Sequence, residues 1–121
     1  MNMAAKNSFK KGNIELLLLA ILRKEDCYGY QITQSIKELS EERITVTEGA
    51  LYPILYRLSD QGYVTEEERL VGRRMKRVYY HLNEKGESYF QELLEEYKQT
   101  QIGMQKILAA TLAEGSSIGN E

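Results

Sequence analysis

The stretch Thr47-Glu48-Gly49-Ala50-Leu51-Tyr52-Pro53-Ile54-Leu55-Tyr56-Arg57-Leu58, closed by Gln61-Gly62, decides how this chain folds. A threonine hydroxyl can accept from the free amides of a first helical turn, and a glycine can take the left-handed conformation that stops a helix. The pattern therefore predicts a helix over 48–61, capped by Thr47 and ended by Gly62. At about 100° per residue, Leu51, Ile54, Leu55 and Leu58 fall within about 100° of one another and form one core stripe. The opposite side carries Gly49, Tyr52, Pro53, Tyr56 and Asp60. Two tyrosines turned away from a core are unusual on a merely solvated surface, and Tyr52 is expected to have its hydroxyl free. Pro53 removes one backbone bond, but the carbonyl it meets is that of Gly49, where the backbone shifts most easily. The helix is expected to continue through it.

Towards the N-terminus, Asn13 to Lys24 is a solid apolar run with charged ends, long enough to favour a buried helix over a strand. Tyr28 to Leu39 places Tyr28, Ile32, Ile36 and Leu39 at helical spacing, a second helix, and Glu41-Glu42-Arg43 reads as a polar loop. Towards the C-terminus the period changes. Tyr63 to Val71 reads as a polar strand, Gly72-Arg73-Arg74 as a turn, and Arg77 to Leu82 as a second strand. In the latter, Val78, Tyr80 and Leu82 alternate with Tyr79 and His81. Asn83 then caps a last helix running to about Leu112. Its apolar positions include Phe90, Leu93, Leu94, Tyr97, Met104, Ile107 and Leu108, and positions 90, 97, 104 and 111 keep a seven-residue interval. Such a helix is a rod of roughly 40 Å, longer than a small core can cover, so a homodimer is expected. The expected organisation is a domain over 1–82, a dimerisation helix over 83–113 and a disordered tail over 114–121.

Composition narrows the function. The chain has 121 residues, 42% of them hydrophobic and 28% charged, which is a globular balance. A single Cys27 and a single His81 exclude a disulfide framework and most metal or nucleophile constellations. Neither an enzyme nor a cofactor site is expected; Cys27 reads as a small core residue and His81 as a surface hydrogen-bonding group. No apolar run approaches the ~20 residues of a membrane helix, and no leader-like segment opens the chain, so a cytoplasmic protein is expected. The net charge of −2 hides an asymmetry: residues 1–82 hold 13 Lys+Arg against 11 Asp+Glu, and residues 83–121 hold 3 against 7. Lys6, Lys10 and Lys11 form one basic cluster; Arg69, Arg73, Arg74, Lys76 and Arg77 form another. Screening acts over about 8–10 Å, so such local patches can attract phosphate despite the negative total.

Three helices followed by a basic hairpin is the order of a winged helix-turn-helix. The expected fold is mainly α with a small β-hairpin, a winged helix-turn-helix followed by a long C-terminal dimerisation helix. A helix of about 10 Å diameter fits the DNA major groove, and a hairpin beside it reaches the backbone or the next minor groove. The competing reading is a winged-helix module whose tyrosine face binds a protein instead of DNA.

Gly12-Asn13-Ile14-Glu15-Leu16-Leu17-Leu18-Leu19-Ala20-Ile21-Leu22 and Tyr28-Gly29-Tyr30-Gln31-Ile32 resemble the opening of the PadR family of bacterial transcriptional regulators. Thr47 to Leu58 with Gly62-Tyr63-Val64 is similar to that family's recognition-helix signature. Gly72-Arg73-Arg74 and Tyr79-Tyr80-His81-Leu82-Asn83-Glu84-Lys85-Gly86 resemble its wing and the start of its last helix. The likeness covers roughly residues 11–90. It implies a repressor that dimerises through one C-terminal helix, reads an inverted repeat with half-sites like ATGT and ACAT, and answers to a phenolic or lipophilic effector. Departures are few. The family often has a small residue and proline where Thr47-Glu48 stand, and Tyr56 is commonly basic. No Trp is present, so a tryptophan-lined pocket is absent.

The expected DNA contacts are Lys10, Lys11, Tyr28, Thr47, Glu48, Gly49, Tyr52, Tyr56, Arg73, Arg74, Lys76 and Arg77, with double-stranded DNA as partner. Arg77 could instead pair with Glu66 to Glu68 across the hairpin, and Tyr30 is expected to pack. For a small aromatic effector the expected lining is Phe90, Leu93, Leu94 and Tyr97. The last falls where multidrug-sensing relatives place an aromatic residue.

Overall fold

The computed structural model describes the backbone of residues 3–113 and the side chains of residues 12–113. The elements run α1 (Met3–Lys24), β1 (Cys27–Tyr28), α2 (Gly29–Leu39), α3 (Glu48–Asp60), β2 (Val64–Val71), β3 (Met75–Leu82) and α4 (Glu84–Leu112). The expectation for 114–121 lies outside the described residues. One compact unit ends at Phe90, and a second begins at Gln91.

In the first unit the core is drawn from all three amino-terminal helices. Leu18, Leu19, Ile32, Leu51, Leu55, Leu58 and Val64 are fully buried. The α3 stripe of Leu51, Ile54, Leu55 and Leu58 faces inward as its spacing requires. The Thr47 hydroxyl accepts from the Ala50 amide at 3.2 Å. At the other end Gly62, at φ 81°, lets the Tyr63 amide return to the Leu58 carbonyl and its own to that of Ser59. Helix α3 runs unbroken through Pro53.

Several details differ from the sequence reading. Helix α1 begins ten residues earlier than the apolar run, at Met3. The hairpin is part of a three-stranded antiparallel sheet in the order β1-β3-β2, because Cys27 and Tyr28 pair with Tyr80 and Tyr79. Strand β3 starts at Met75, opposite Val71, so only Gly72, Arg73 and Arg74 form the turn, with Gly72 at φ 68°. Leu39 is 74% exposed because it lies past Ile36, the last buried residue of α2. Tyr30 is exposed rather than packed. Val78 shares a sheet face with buried Tyr80, but lies nearer the turn and stays exposed.

The first turns of α4 belong to this unit. Asn83 caps them, its Oδ1 accepting from the Gly86 amide at 2.8 Å while its Nδ2 donates to the Gly62 carbonyl at 2.8 Å. A Cβ on Gly86 would collide with the Tyr63 carbonyl oxygen, so only glycine allows this close approach. Phe90 is buried, with the Arg23 guanidinium 5.0 Å from its ring centre.

The second unit is the remainder of α4. Leu93 and Leu94 are half-buried, and Tyr97, Met104, Ile107, Leu108 and Leu112 are exposed. Gln101 Nε2 donates to the Tyr97 hydroxyl at 2.7 Å. Among the described residues no helix is long and apolar enough to cross a membrane.

Candidate nucleic-acid interface

Helix α3 and the hairpin present one side of the first unit together. A groove of about 450 Å³ lies between them, lined by Tyr28, Tyr52, Tyr56, Glu66, Lys76, Arg77, Val78 and Tyr80. Five of the residues read as DNA contacts from the sequence thus meet in one place: Tyr28, Tyr52, Tyr56, Lys76 and Arg77. Thr47, Glu48 and Gly49 are exposed at the start of α3, and Arg73 and Arg74 are exposed at the hairpin turn. Lys10 and Lys11 lie on α1, but their side chains are outside the described residues.

The two α3 tyrosines differ. Tyr56 is exposed, with its ring centre 5.8 Å from that of Tyr52. Tyr52 is half-buried, and its hydroxyl lies against Gly29 in the first turn of α2, where any Cβ would collide with it. Burial, then the nearby Glu48, pushes the Tyr52 phenol above its ordinary range. Its hydroxyl is therefore not free in the way the helical wheel implied; the wheel gives an angle and says nothing of α2 arriving beside it. Gly49 is the converse case. A Cβ there would meet nothing closer than 3.9 Å, so nothing within the described chain requires glycine.

Arg77 does not pair with Glu67, which Arg69 holds, nor with Glu66 or Glu68. Glu66 and Glu68 point to the other sheet face, because Arg77 stands opposite Arg69 in the ladder while they oppose Tyr80 and Val78. Its guanidinium instead lies 4.2 Å from the Tyr28 ring centre. Tyr28 in turn meets Tyr79 edge-on at 5.4 Å. Lys76 is 3.9 Å from Glu68, an exposed and weak pair. Arg73 and Arg74 form no ion pair among the described residues.

Arg69 leaves the basic cluster to which its position assigned it. It donates to Glu67 and to Asp26, each at 2.8 Å, and stacks 4.2 Å over Tyr79. Asp26 also contacts His81 Nδ1 at 2.8 Å, which identifies the hydrogen-bonding partner expected for that imidazole. The His81 bond first, and that from Arg69 besides, hold the Asp26 carboxyl below its ordinary range. Sequence reading missed this cluster because its members lie 43 and 55 residues apart. Cys27 is buried, and burial pushes its thiol up to about 11, as expected of an inert core cysteine. No group of His, Cys, Asp and Glu among the described residues could hold a metal ion.

A model of the PadR-like family of transcriptional regulators matches residues 18–92, the span that holds α3, the sheet and the groove. The chain belongs to this family. The PadR-like fold extends to solved structures. A Streptococcus mutans protein is 35% identical, with a TM-score of 0.72 over 83% of this chain and 90% of that one. The Bacillus subtilis PadR protein, solved in complex with operator DNA, is 28% identical, with a TM-score of 0.61 over 66% of this chain and 46% of that one. In sequence, the Bacillus subtilis negative transcriptional regulator PadR is 27% identical over 81 residues, 67% of this chain. This PadR-like chain spans only 44% of that regulator's length.

Proposed function

We propose that this PadR-like chain is a sequence-specific DNA-binding regulator that acts as a homodimer and represses transcription until a small aromatic or lipophilic ligand releases it. The observation that carries the DNA-binding reading is the groove. Its lining brings together Tyr56 of α3 and Lys76 and Arg77 of β3, with Arg73 and Arg74 exposed at the hairpin turn. A helix entering the major groove would bring phosphates to those cations. Gly49, open on its outer side, would let the start of α3 approach a backbone closely. The solved complex of Bacillus subtilis PadR with operator DNA supports the same assignment.

The dimer reading comes from the second unit. Taking Tyr97 as 0° and about 100° per residue, Leu93, Leu94, Met104 and Leu108 all fall within about 60° of it, a stripe on one side of the helix. Two copies would supply Leu93, Leu94 and Tyr97 twice, an apolar seam with phenol tips that suits a flat aromatic ligand. Phe90 is the exception among the residues assigned to that ligand, since it is buried in the first unit. A two-fold dimer reads two half-sites about one helical turn apart. A cytoplasmic location follows from this role.

The test is a salt titration of binding to a labelled duplex by fluorescence anisotropy. Affinity should fall steeply as salt rises, because bound phosphates release counterions. Arg73→Ala with Arg74→Ala should weaken all duplexes about equally and lower the salt slope by about one unit per lost phosphate contact. Duplex binding that is absent, or that ignores salt, removes the reading.

A further inference from the structure

Glu15 is a buried acid inside the apolar run of α1, flanked by buried Ile14 and Leu16. A carboxylate so placed is costly unless it is paired, and replacing a buried ionic group by apolar side chains is often neutral or stabilising. Burial alone therefore gives no reason for an acid here. Its two oxygens reach two different elements. Oε2 accepts from Arg57 Nη2 of α3, and Oε1 accepts from the Tyr89 hydroxyl of α4 at 2.6 Å.

These bonds close a ring of contacts around the end of α3. Tyr89 stacks on Tyr63, just past α3, with ring centres 4.2 Å apart and planes 5° from parallel. Lys85 Nζ donates to the Gln61 carbonyl at 2.8 Å and lies over the same Tyr63 ring. Asn83 holds the Gly62 carbonyl, and Gly86 packs on that of Tyr63. The Asn83, Lys85 and Gly86 contacts bind only the residues after the helix. Arg57 lies within the body of α3, beside its buried stripe, and Glu15 joins it to Tyr89 of α4.

We propose that Glu15 is a positioning residue for α3: through Arg57 and Tyr89 it fixes the DNA-facing helix at a set angle to the first turns of α4. The consequence for recognition rests on the DNA-binding reading above, whereas the clamp itself does not. Any force that turns the first two turns of α4 is transmitted to α3 through Tyr89 and Glu15, instead of being absorbed in the Gln61–Tyr63 linker.

The test uses Tyr89→Phe, which keeps the stack on Tyr63 and removes one bond, and Glu15→Gln, which keeps the size and removes the charge. Backbone amide exchange is followed in α3 over Ile54 to Leu58, together with the melting temperature. In both variants α3 exchange should speed up by about tenfold, the equivalent of one lost hydrogen bond, while the chain stays folded. Two duplexes are then compared, one selected from a random pool by the wild-type chain and one of scrambled sequence. Preference for the selected duplex should fall about fivefold, the low end of couplings between sites, with affinity for the scrambled one unchanged. Unchanged α3 exchange in the folded variants overturns the proposal, as does an equal loss of affinity for both duplexes. A wild-type chain that prefers neither duplex refutes sequence-specific recognition, and the exchange measurement then decides the clamp alone. Tyr89→Phe carries the test by itself if Glu15→Gln does not fold.

Discussion

The guanidinium of Arg77 lies 4.2 Å from the centre of the Tyr28 ring, so the third residue of β3 is held by the last residue of β1, just before α2. Neither residue does this alone. Tyr28 pairs with Tyr79 in the ladder and meets its ring edge-on, which fixes the plane on which Arg77 rests. A long arginine side chain on a sheet surface would otherwise sample many rotamers. The aromatic platform instead keeps it at the wall of the groove, where its charge can meet a phosphate.

Replacing Tyr28 by Leu should therefore weaken duplex binding through Arg77. A cation–π contact at an exposed site contributes about 0.5–1 kcal/mol, so a loss of about two- to fivefold in affinity is expected. Arg77→Ala should lose more, because the charge itself goes. Adding Tyr28→Leu to Arg77→Ala should then change little. Anisotropy titrations of the four proteins measure the coupling, and strictly additive losses would show that Tyr28 acts independently of Arg77.

Gly29 and Tyr52 form the second coupled pair. A Cβ at Gly29 would overlap the Tyr52 hydroxyl and lie 2.6 Å from its Cζ. Forcing such overlap into a packed site costs about 1–3 kcal/mol. Gly29→Ala should lower the melting temperature accordingly, and Tyr52→Phe should restore only part of it, because the ring carbon remains in the way. Tyr52→Phe alone should leave the fold intact. A Gly29→Ala protein that melts like the wild type would place the Tyr52 ring elsewhere.

Much of this arrangement is legible in the sequence, and the losses have a common cause. The α3 stripe, the Thr47 cap, the Gly62 stop and the hairpin turn all depend on neighbours within a few residues, which local pattern reports well. Strand β1 is two residues long, too short for any period to register. Glu15 looks like an interruption in an apolar run until Arg57 and Tyr89 arrive, 42 and 74 residues away. Arg69 reads as part of a basic patch, and only the fold brings Asp26 to neutralise it. Tyr52 is the same lesson in reverse. Its angle on the helix was readable, but the glycine that receives its hydroxyl lies on another helix.

Asp26 supplies a pH dependence with a definite sign. The His81 hydrogen bond, with that from Arg69, lowers its pKa in the folded chain below the ordinary value of 3.8. A carboxyl depressed on folding contributes stability that is fully present above its unfolded pKa and is lost as pH falls through the folded one. Asp26→Asn should therefore melt below the wild type at pH 7. The gap should close as the solution is made more acid than the ordinary carboxylate range. Thermal melts of both proteins from pH 7 to pH 2 check this. A gap that persists at the acid end would assign the loss to packing and not to charge.

The exposed stripe of α4 carries the last expectation. Tyr97 at 40%, Met104 at 41% and Leu108 at 49% exposure stand on one side of the helix, successively about two turns and one turn apart. An isolated helix gains most of its stability by packing an apolar face, and this part of α4 belongs to a unit with no other element among the described residues. A second copy laid along the stripe would bury it, and the seven-residue interval from Tyr97 to Met104 fits a paired-helix seam. Met104→Glu with Leu108→Glu should set like charges along that seam and give a monomer by light scattering. The first unit should stay folded, since neither residue belongs to it, so near-native sheet signals in NMR spectra are expected. Duplex affinity should drop by more than tenfold, because two linked half-site contacts become one and the gain from holding both at high effective concentration is lost. Ile102→Glu serves as the control: at about 140° from Tyr97 on the helical wheel it should leave the dimer and its affinity near wild type. A double variant that remains a dimer would move the seam off this face of α4, and a monomer that keeps full affinity would show that each copy recognises DNA alone.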